Sequence, residues 1–204
     1  NWYDLPKSEK TLPAILSQAG YHTMAIGKMH FTPIEDMHGF DERVFVEGKM
    51  FSDYDDYRSY LRDKGLDKEY FEHVARWANI ENFGSDTFPL GDDNYIDTYI
   101  GHNGARTIDN CDKLPFFAWL SFCNPHMPFD PPAPFDTVYD PANIEIPDDF
   151  GIDQMSRVPE YRTSSGQKDF GNLTAAKLQK ITANYYGSIA LVDREIGRVL
   201  KVLE

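Results

Sequence analysis

The chain has 204 residues, of which 41% are apolar, and a net charge of −13 from 20 basic and 33 acidic side chains. This length and composition predict one folded domain with a sizeable core. The negative charge argues against nucleic acid and anionic membrane surfaces as partners, because both attract basic proteins. The apolar run at 116–120 is much shorter than the roughly 20 residues of a membrane span, so no membrane association is predicted. The chain starts with Asn1 and shows no signal-peptide pattern, so we expect an internal start and predict no localisation.

The first elements predict half of a βαβ unit. Thr11 is a candidate N-cap with Pro13 in the first turn, and Gly20 is placed to end this helix. The apolar residues between them share one helical face: Leu12, Ile15, Leu16 and Ala19. A strand at 23–26 and a loop at 27–30 follow, which gives the order helix, glycine turn, strand and loop.

The middle of the chain, 45–90, is acidic and rich in tyrosine. It is predicted to begin with a short strand or hairpin at 44–51, followed by a capping-box sequence at 52–55. Two short helices come next, one ending at Gly65 and one at 68–78. We expect 45–90 to be an insertion over one edge of the sheet rather than a separate domain.

Longer elements follow and complete a predicted α/β fold. Residues 92–108 predict a helix with its isoleucines inward and its Asp and Asn side chains outward. Residues 116–122 predict a buried strand that ends in a proline-rich corner containing His126. The segment 128–172 is a long loop of a kind that is usually functional. Thr174 begins a helix of about 45 Å, and its predicted inward face comprises Leu178, Ile181, Tyr185, Ile189, Val192, Ile196, Val199 and Leu203.

The two cysteines, Cys111 and Cys123, are predicted to be free, buried thiols. Residues 116–122 lie between them and, if extended, span about 23 Å at roughly 3.3 Å per residue. A disulfide needs Cα atoms within about 7 Å, so a bridge is not expected.

Basic side chains follow two of the predicted strands at their carboxyl ends, where open α/β sheets bind ligands. An extended 27–30 segment would place Lys28 and His30 on the same side. His30 and His126 can each donate a hydrogen bond or transfer a proton. Converging donors of this kind suit a tetrahedral oxyanion and can stabilise charge on a leaving oxygen. Spacing alone leaves a plainer alternative open, in which Lys28 faces solvent and His126 binds a backbone carbonyl.

No metal site is predicted in this chain. His22, His30 and His38 are spaced eight apart, which matches no compact metal motif. The acidic pair at 92–93 is interpreted as helix N-terminal charges favoured by the helix dipole. His73 and the other helical histidine, at 102, are expected to be structural.

Several stretches resemble the sulfatase family. Leu16–Phe31 is similar to the family signature, in which a glycine-tyrosine turn precedes Gly-Lys-x-His. His38–Glu42 resembles the family's next turn, Pro125–Phe129 resembles its Pro-His-x-Pro-Phe segment, and Tyr185–Leu200 resembles its long helix. These matches occur in family order along almost the whole chain. The form of Gly27–Phe31 is most similar to choline-sulfatase-like and uncharacterised bacterial members.

The resemblance implies a fold and a chemistry. The fold would be part of an alkaline-phosphatase-like mixed sheet flanked by helices, with a long C-terminal helix. The chemistry would be hydrolysis of a small-molecule or carbohydrate sulfate ester at a divalent cation, typically calcium. By the family motif, Lys28 contacts the sulfate, and His30 positions the attacking formylglycine hydrate or assists its turnover. His126 would bind the sulfate and can protonate the leaving oxygen.

The chain departs from the family pattern at the nucleophile. The family uses a Cys-x-Pro-x-Arg type motif, whereas Cys123 is followed by Pro125 but by Met127 in the arginine position. Cys123 is therefore not expected to be the nucleophile. The formylglycine and the metal ligands are expected outside this chain, which makes 1–204 the central portion of a sulfatase catalytic domain that is inactive alone. Two alternatives stay open: a phosphodiester or phosphonate monoester hydrolase of the same superfamily, and a non-catalytic anion-binding or structural module.

Overall fold

The computed structural model describes residues 4–48, 54–77, 85–148 and 173–204. The described helices are α1 (Leu12–Gln18), α2 (Asp56–Asp63), α3 (Asp67–Trp77), α4 (Ile96–Asp109) and α5 (Ala175–Leu200), with 3₁₀ turns at Asp92–Asn94 and Pro141–Asn143. The described strands are β1 (His22–Lys28), β2 (Glu42–Val46) and β3 (Phe116–Ser121). Within these ranges we find no helix that combines the length and the apolarity needed to cross a membrane.

The three strands form a parallel sheet in the order β2-β1-β3. Met24 in the central strand pairs with Glu42 on one side and with Ala118 on the other. Because the strands are parallel, their carboxyl ends lie at one edge of the sheet. The α/β prediction is confirmed, and this edge receives the loops that follow β1 and β3.

The edge strand β3 differs from the buried strand that was predicted. None of its residues is fully buried, and Trp119 is 36% exposed. The reason is its position, since in the described part of the chain β3 pairs only with β1. The central strand β1 carries the buried run instead, from Thr23 to Gly27. β2 is a parallel partner of β1 rather than a hairpin arm, and the end of the predicted 44–51 segment lies outside the described residues.

The first helix begins and ends as predicted, but its apolar face is not in the core. The Thr11 side chain accepts a hydrogen bond from the Ala14 N–H at 3.3 Å, and Gly20 has a φ of +91°. Leu12 and Ile15 are 58% and 47% exposed. Helical periodicity identified residues that share one face of α1, but Leu12 and Ile15 of that face are exposed rather than packed on the sheet.

The region after β2 packs into the main core. Asp55 is the N-cap of α2 and accepts from the Arg58 N–H at 3.0 Å, so this helix begins after Asp55 and not at the predicted capping box, whose first residue lies outside the described ranges. The buried side chains of this region lie in one cluster with those of β1: Tyr57, Leu61, Tyr70, Phe88, Met24 and Ile26. The assignment of 45–90 as an insertion stays a prediction, as does the loop 128–172, of which 149–172 lie outside the described residues.

The long helix packs on α4 mainly through small and polar residues, and of the predicted apolar face only Val199 is buried. Ile189 and Ile196 are 41% and 42% exposed. The buried face instead comprises Ala183, Asn184, Gly187, Ser188, Leu191, Glu195 and Val199. Glu195 is fully buried and accepts from the Nε atoms of Arg194 and Arg198, each at 2.8 Å.

Close approach of the two helices explains this choice of face. A Cβ atom on Gly101 of α4 would lie 2.3 Å from Glu195 Oε2 and 2.6 Å from Glu195 Cβ. At the end of the contact Arg194 donates to both carboxylate oxygens of Asp92, with Nη2 2.8 Å from Oδ1. Burial raises the pKa of Asp92, but the hydrogen bonds from Arg194 and Thr98 outweigh it and leave the pKa below its usual range.

We expect Gly101→Ala to lower the free energy of unfolding by about 1–3 kcal/mol, because the added methyl overpacks the helix contact. Gly197→Ala is the matched control, since no atom lies within 4 Å of its added Cβ. That variant should raise the free energy of unfolding by about 0.5–1 kcal/mol through helix propensity. Urea titrations of both variants measure the effect, and equal stabilisation by both would contradict this account of the contact.

Candidate active site

A cavity of about 190 Å³ lies at the carboxyl edge of the sheet, and three predicted site residues line it together. Lys28 is the last residue of β1, His30 follows it, and His126 lies in the loop after β3. The volume is below the roughly 300–1,000 Å³ of sites for drug-sized ligands. The cavity therefore suits a small group, such as one end of a larger molecule.

The backbone that presents Lys28 and His30 is not extended, contrary to the premise of the sequence argument. β1 ends at Lys28, and His30 has a φ of +55°, in the left-handed region that few non-glycine residues adopt. Gly27 precedes them with a φ of +107°, and a Cβ there would lie 2.0 Å from the Ser121 carbonyl oxygen. A sharp turn, and not strand alternation, brings the two basic side chains to one cavity.

Glu47 holds this turn in place. It is 5% exposed and follows β2. One carboxylate oxygen accepts the His30 backbone N–H, and the other lies 2.9 Å from His30 Nδ1. A carboxylate at that distance places a ring proton on Nδ1. Sequence reasoning missed Glu47, and its only signal was an acidic residue directly after the apolar end of a strand.

Asp55 holds the segment that carries Glu47. Its Oδ2 accepts the backbone N–H groups of Glu47 and Gly48 at 2.9 and 3.1 Å. Burial raises the pKa of Asp55, although the hydrogen bonds that it accepts from backbone N–H groups oppose this. The N-cap of α2 is thus also a support for the cavity wall.

His126 combines both interpretations left open by the sequence. Its Nδ1 lies 2.6 Å from the Met127 carbonyl oxygen, so it binds a backbone carbonyl, and it also lines the cavity. Because a carbonyl only accepts, Nδ1 carries the proton of this hydrogen bond. Nε2 is then the nitrogen through which His126 can contact a ligand.

Asp97 fixes the start of the loop that carries His126. It was predicted to face outward with the other Asp and Asn residues of α4, but it is fully buried, as is most of Asn103. Its carboxylate accepts the backbone N–H groups of Cys123 and Asn124 at 2.6 and 3.2 Å, and the Asn124 side-chain amide at 2.5 Å. Burial raises the pKa of Asp97 to about 6 against the effect of these hydrogen bonds.

The two cysteines and His22 are the remaining candidates from the sequence. Neither cysteine forms a disulfide, as predicted, but both are partly exposed rather than buried. Cys123 lines the cavity, and its exclusion as a nucleophile stays a prediction. His22 lies near Asp41 and Glu42 at the other end of β1.

The described residues do not fit a divalent cation. They contain no cluster of three or more His, Cys, Asp or Glu side chains that could hold one. The two carboxylates that line the cavity already accept from nitrogen donors, Glu47 from His30 and Asp130 from His73. No step through a metal is derived from these residues.

We expect Glu47→Gln to lower the free energy of unfolding by about 1–3 kcal/mol, because an amide cannot replace both carboxylate oxygens that accept from His30. Glu42→Gln is the control: Glu42 is 52% exposed and lies 3.3 Å from His22 Nε2, and such surface pairs contribute roughly 0–1 kcal/mol. Ring ¹⁵N shifts should show that His30 loses its Nδ1–H form only in Glu47→Gln. An unchanged His30 spectrum would contradict the assigned role.

The raised pKa of Asp97 predicts a specific pH dependence of the free energy of unfolding. Its pKa is raised from 3.8 to about 6 in the folded chain, so the folded state holds more protons than the unfolded state between these values. Its stabilising contribution is therefore complete below pH 3.8 and is lost as the pH rises through 6, by on the order of 3 kcal/mol. Asp97→Asn should lack this slope, whereas Asp93→Asn, on the exposed side of the turn before α4, should keep it. Urea titrations from pH 4 to 7 measure it, and equal slopes would overturn the assignment.

Comparisons with known proteins place the chain in a family. The Sulfatase family model matches residues 3–204. The chain is 28% identical over 223 residues to an arylsulfatase of Clostridium perfringens, covering 96% of this chain and 43% of the relative. It is 23% identical to a choline-sulfatase of Rhizobium meliloti, covering 92% of this chain and 37% of that protein. The chain thus spans less than half the length of these relatives.

Solved structures show the same fold. A phosphonate monoester hydrolase of Silicibacter pomeroyi matches with a TM-score of 0.71 and 20% identity, over 98% of this chain and 45% of that chain. The corresponding enzyme of Agrobacterium radiobacter matches with a TM-score of 0.66 and 19% identity, over the same shares. The family match over nearly the whole chain, together with this fold, shows that the chain belongs to the sulfatase family.

Proposed function

We propose that this chain forms the anion-binding side of a site that hydrolyses a small-molecule or carbohydrate sulfate ester. One observation carries the proposal: Lys28, His30 and His126 line a single cavity of about 190 Å³ at the carboxyl edge of a parallel sheet. Membership in the sulfatase family supports the reaction class. The cavity volume suits the sulfate end of the substrate, with the alcohol portion extending from its mouth.

The cavity residues divide the work of binding and proton transfer. The Lys28 ammonium is a compact positive charge that binds the sulfate oxygens. Hydrolysis breaks the bond between sulfur and the ester oxygen, and negative charge builds on that oxygen as it leaves. His126 donates a proton from Nε2 to the leaving oxygen while Nδ1–H remains bonded to the Met127 carbonyl. The alcohol then leaves as a neutral molecule.

His30 serves the attacking side of the reaction. Glu47 accepts from its Nδ1 and backbone N–H, which fixes the orientation of the ring. The family resemblance implies a formylglycine hydrate as the attacking group and calcium as the cation, both held by residues outside this chain. The part proposed for this chain is that His30 would accept the proton that the attacking group loses.

The charge of the cavity favours singly charged ligands. One lysine faces two buried carboxylates, Glu47 and Asp130, in the same lining. A second negative charge on the ligand would be repelled by these carboxylates at low dielectric constant. A sulfate ester or a phosphodiester carries one negative charge, whereas a phosphate monoester carries nearly two above neutral pH. The charge thus disfavours phosphate monoesters, and membership in the sulfatase family places sulfate esters before the other singly charged candidates. The phosphodiester or phosphonate monoester reaction is the second candidate, since the structural neighbours are phosphonate monoester hydrolases by name.

We expect Lys28→Met to weaken binding of methyl sulfate roughly 10- to 100-fold, the loss typical of a hydrogen bond to a charged group. Lys113→Met is the matched control, because it makes the same charge change at an exposed position before β3. Calorimetric titration should show the wild-type chain binding methyl sulfate more tightly than methyl phosphate at pH 8. Equal losses in both variants, or no binding by the wild-type chain, would overturn the proposed site.

A further inference from the structure

One hydroxyl group links the two ends of the loop that carries His126. Asn124 lies at the start of this loop and Asp130 at its end. The Asn124 side-chain amide donates to Tyr95 Oη at 2.7 Å, and the Tyr95 hydroxyl donates to Asp130 Oδ1 at 3.2 Å. Both ends of the loop are therefore tied to the same atom, six residues apart in the sequence.

Each end of the loop has a second, buried anchor. Asn124 also donates to Asp97 Oδ2 at 2.5 Å, and Asp130 Oδ2 lies 2.6 Å from His73 Nε2 on α3. All five side chains in this path are buried, with exposures of 9% or less. A buried polar group that loses its partner is costly, so the hydrogen-bonded path favours one arrangement of the loop.

The hydroxyl of Tyr95 is suited to this linking position. A phenol offers one O–H donor and also accepts, and here it does both at once. Burial, reinforced by the charges of Asp130 and Asp97, raises the pKa of Tyr95 well above its usual value, so the donor proton is retained. Tyr95 directly precedes α4 and is 3% exposed, which fixes the oxygen in the cavity wall.

We infer that Tyr95 is a positioning residue for the proposed anion site, and that its hydroxyl holds the two ends of the His126 loop together. The inference rests on the proposed function, because the loop affects ligand binding through the position of His126. Tyr95 itself lines the cavity, but its hydroxyl is committed to Asn124 and Asp130. Its effect on the ligand is exerted through the placement of the imidazole.

Tyr95→Phe removes one oxygen and keeps the ring, which packs edge-on against Phe88 at a centroid distance of 5.0 Å. The variant removes the atom that Asn124 and Asp130 share. We expect the loop to sample further arrangements, and His126 Nδ1 to lose part of its hydrogen bond to the Met127 carbonyl. Methyl sulfate affinity should fall about tenfold.

Tyr57→Phe is the matched control. Tyr57 is 1% exposed and lines the same cavity, and its hydroxyl donates to the Asn94 carbonyl at 2.8 Å, away from the His126 loop. It removes the same atom from the same residue type at similar burial. A general loss of stability would appear in both variants, whereas a positioning effect appears only in Tyr95→Phe.

The test uses the whole chain and two measurements. Ring ¹⁵N shifts report the Nδ1–H form of His126, and calorimetry reports the affinity for methyl sulfate. The inference predicts a changed His126 spectrum and weaker binding in Tyr95→Phe, with the His126 spectrum near wild type in Tyr57→Phe. A His126 spectrum in Tyr95→Phe that matches the wild-type spectrum overturns the inference, whether or not the ligand binds. If the wild-type chain binds methyl sulfate, an unchanged affinity in Tyr95→Phe also overturns the inference. A wild-type chain that binds no methyl sulfate overturns the proposed function instead, and the His126 spectrum still decides whether Tyr95 holds the loop.

Discussion

Buried carboxylates hold the three loops that leave the carboxyl edge of the sheet, and the cavity depends on them. Glu47 accepts from the loop after β1, Asp55 from the loop after β2 and Asp97 from the loop after β3. In every case the donors include backbone N–H groups that no strand partner satisfies. A buried carboxylate without donors and a buried N–H without an acceptor are both costly, so each loop and its carboxylate require one another.

This arrangement limits the acidity that the cavity of an acidic chain presents to a ligand. The chain carries a net charge of −13, yet the two lining carboxylates already have donors: Glu47 accepts from His30, and Asp130 from Tyr95 and His73. Burial raises the pKa of both Asp55 and Asp97 despite their hydrogen bonds, so their ionised forms lower the stability of the folded state. This loss of stability lies at the edge of the sheet where the ligand contacts are proposed, and such losses are common at functional sites.

The sequence predicted that Lys28, His30 and His126 lie at one edge of the sheet, because that follows from the parallel topology, but it did not predict the sharp turn at His30 that brings Lys28 and His30 to one cavity. Parallel strands end at one edge, so basic residues placed after two neighbouring strands meet there. The supporting residues could not be found in this way, since Asp97 binds a backbone 26 residues further along the chain. Helical spacing predicts which residues of one helix share a face. It does not predict a single buried acidic residue, because one residue forms no periodic pattern. The same limit applies to Tyr95, whose partners lie 29 and 35 residues away.

The misassigned face of α5 shows a second limit of prediction from sequence, which concerns the choice between two faces of one helix. The helix has an apolar stripe and a small, polar stripe, and hydrophobicity selects the former. Packing selected the latter, because Gly101 leaves room for the helices to approach closely and for Glu195 to be enclosed between its arginines. The same contact fixes α4, which begins directly after Tyr95 and includes Asp97 in its first turn. A helix interface formed by residues outside the cavity lining therefore sets the position of the loop that presents His126.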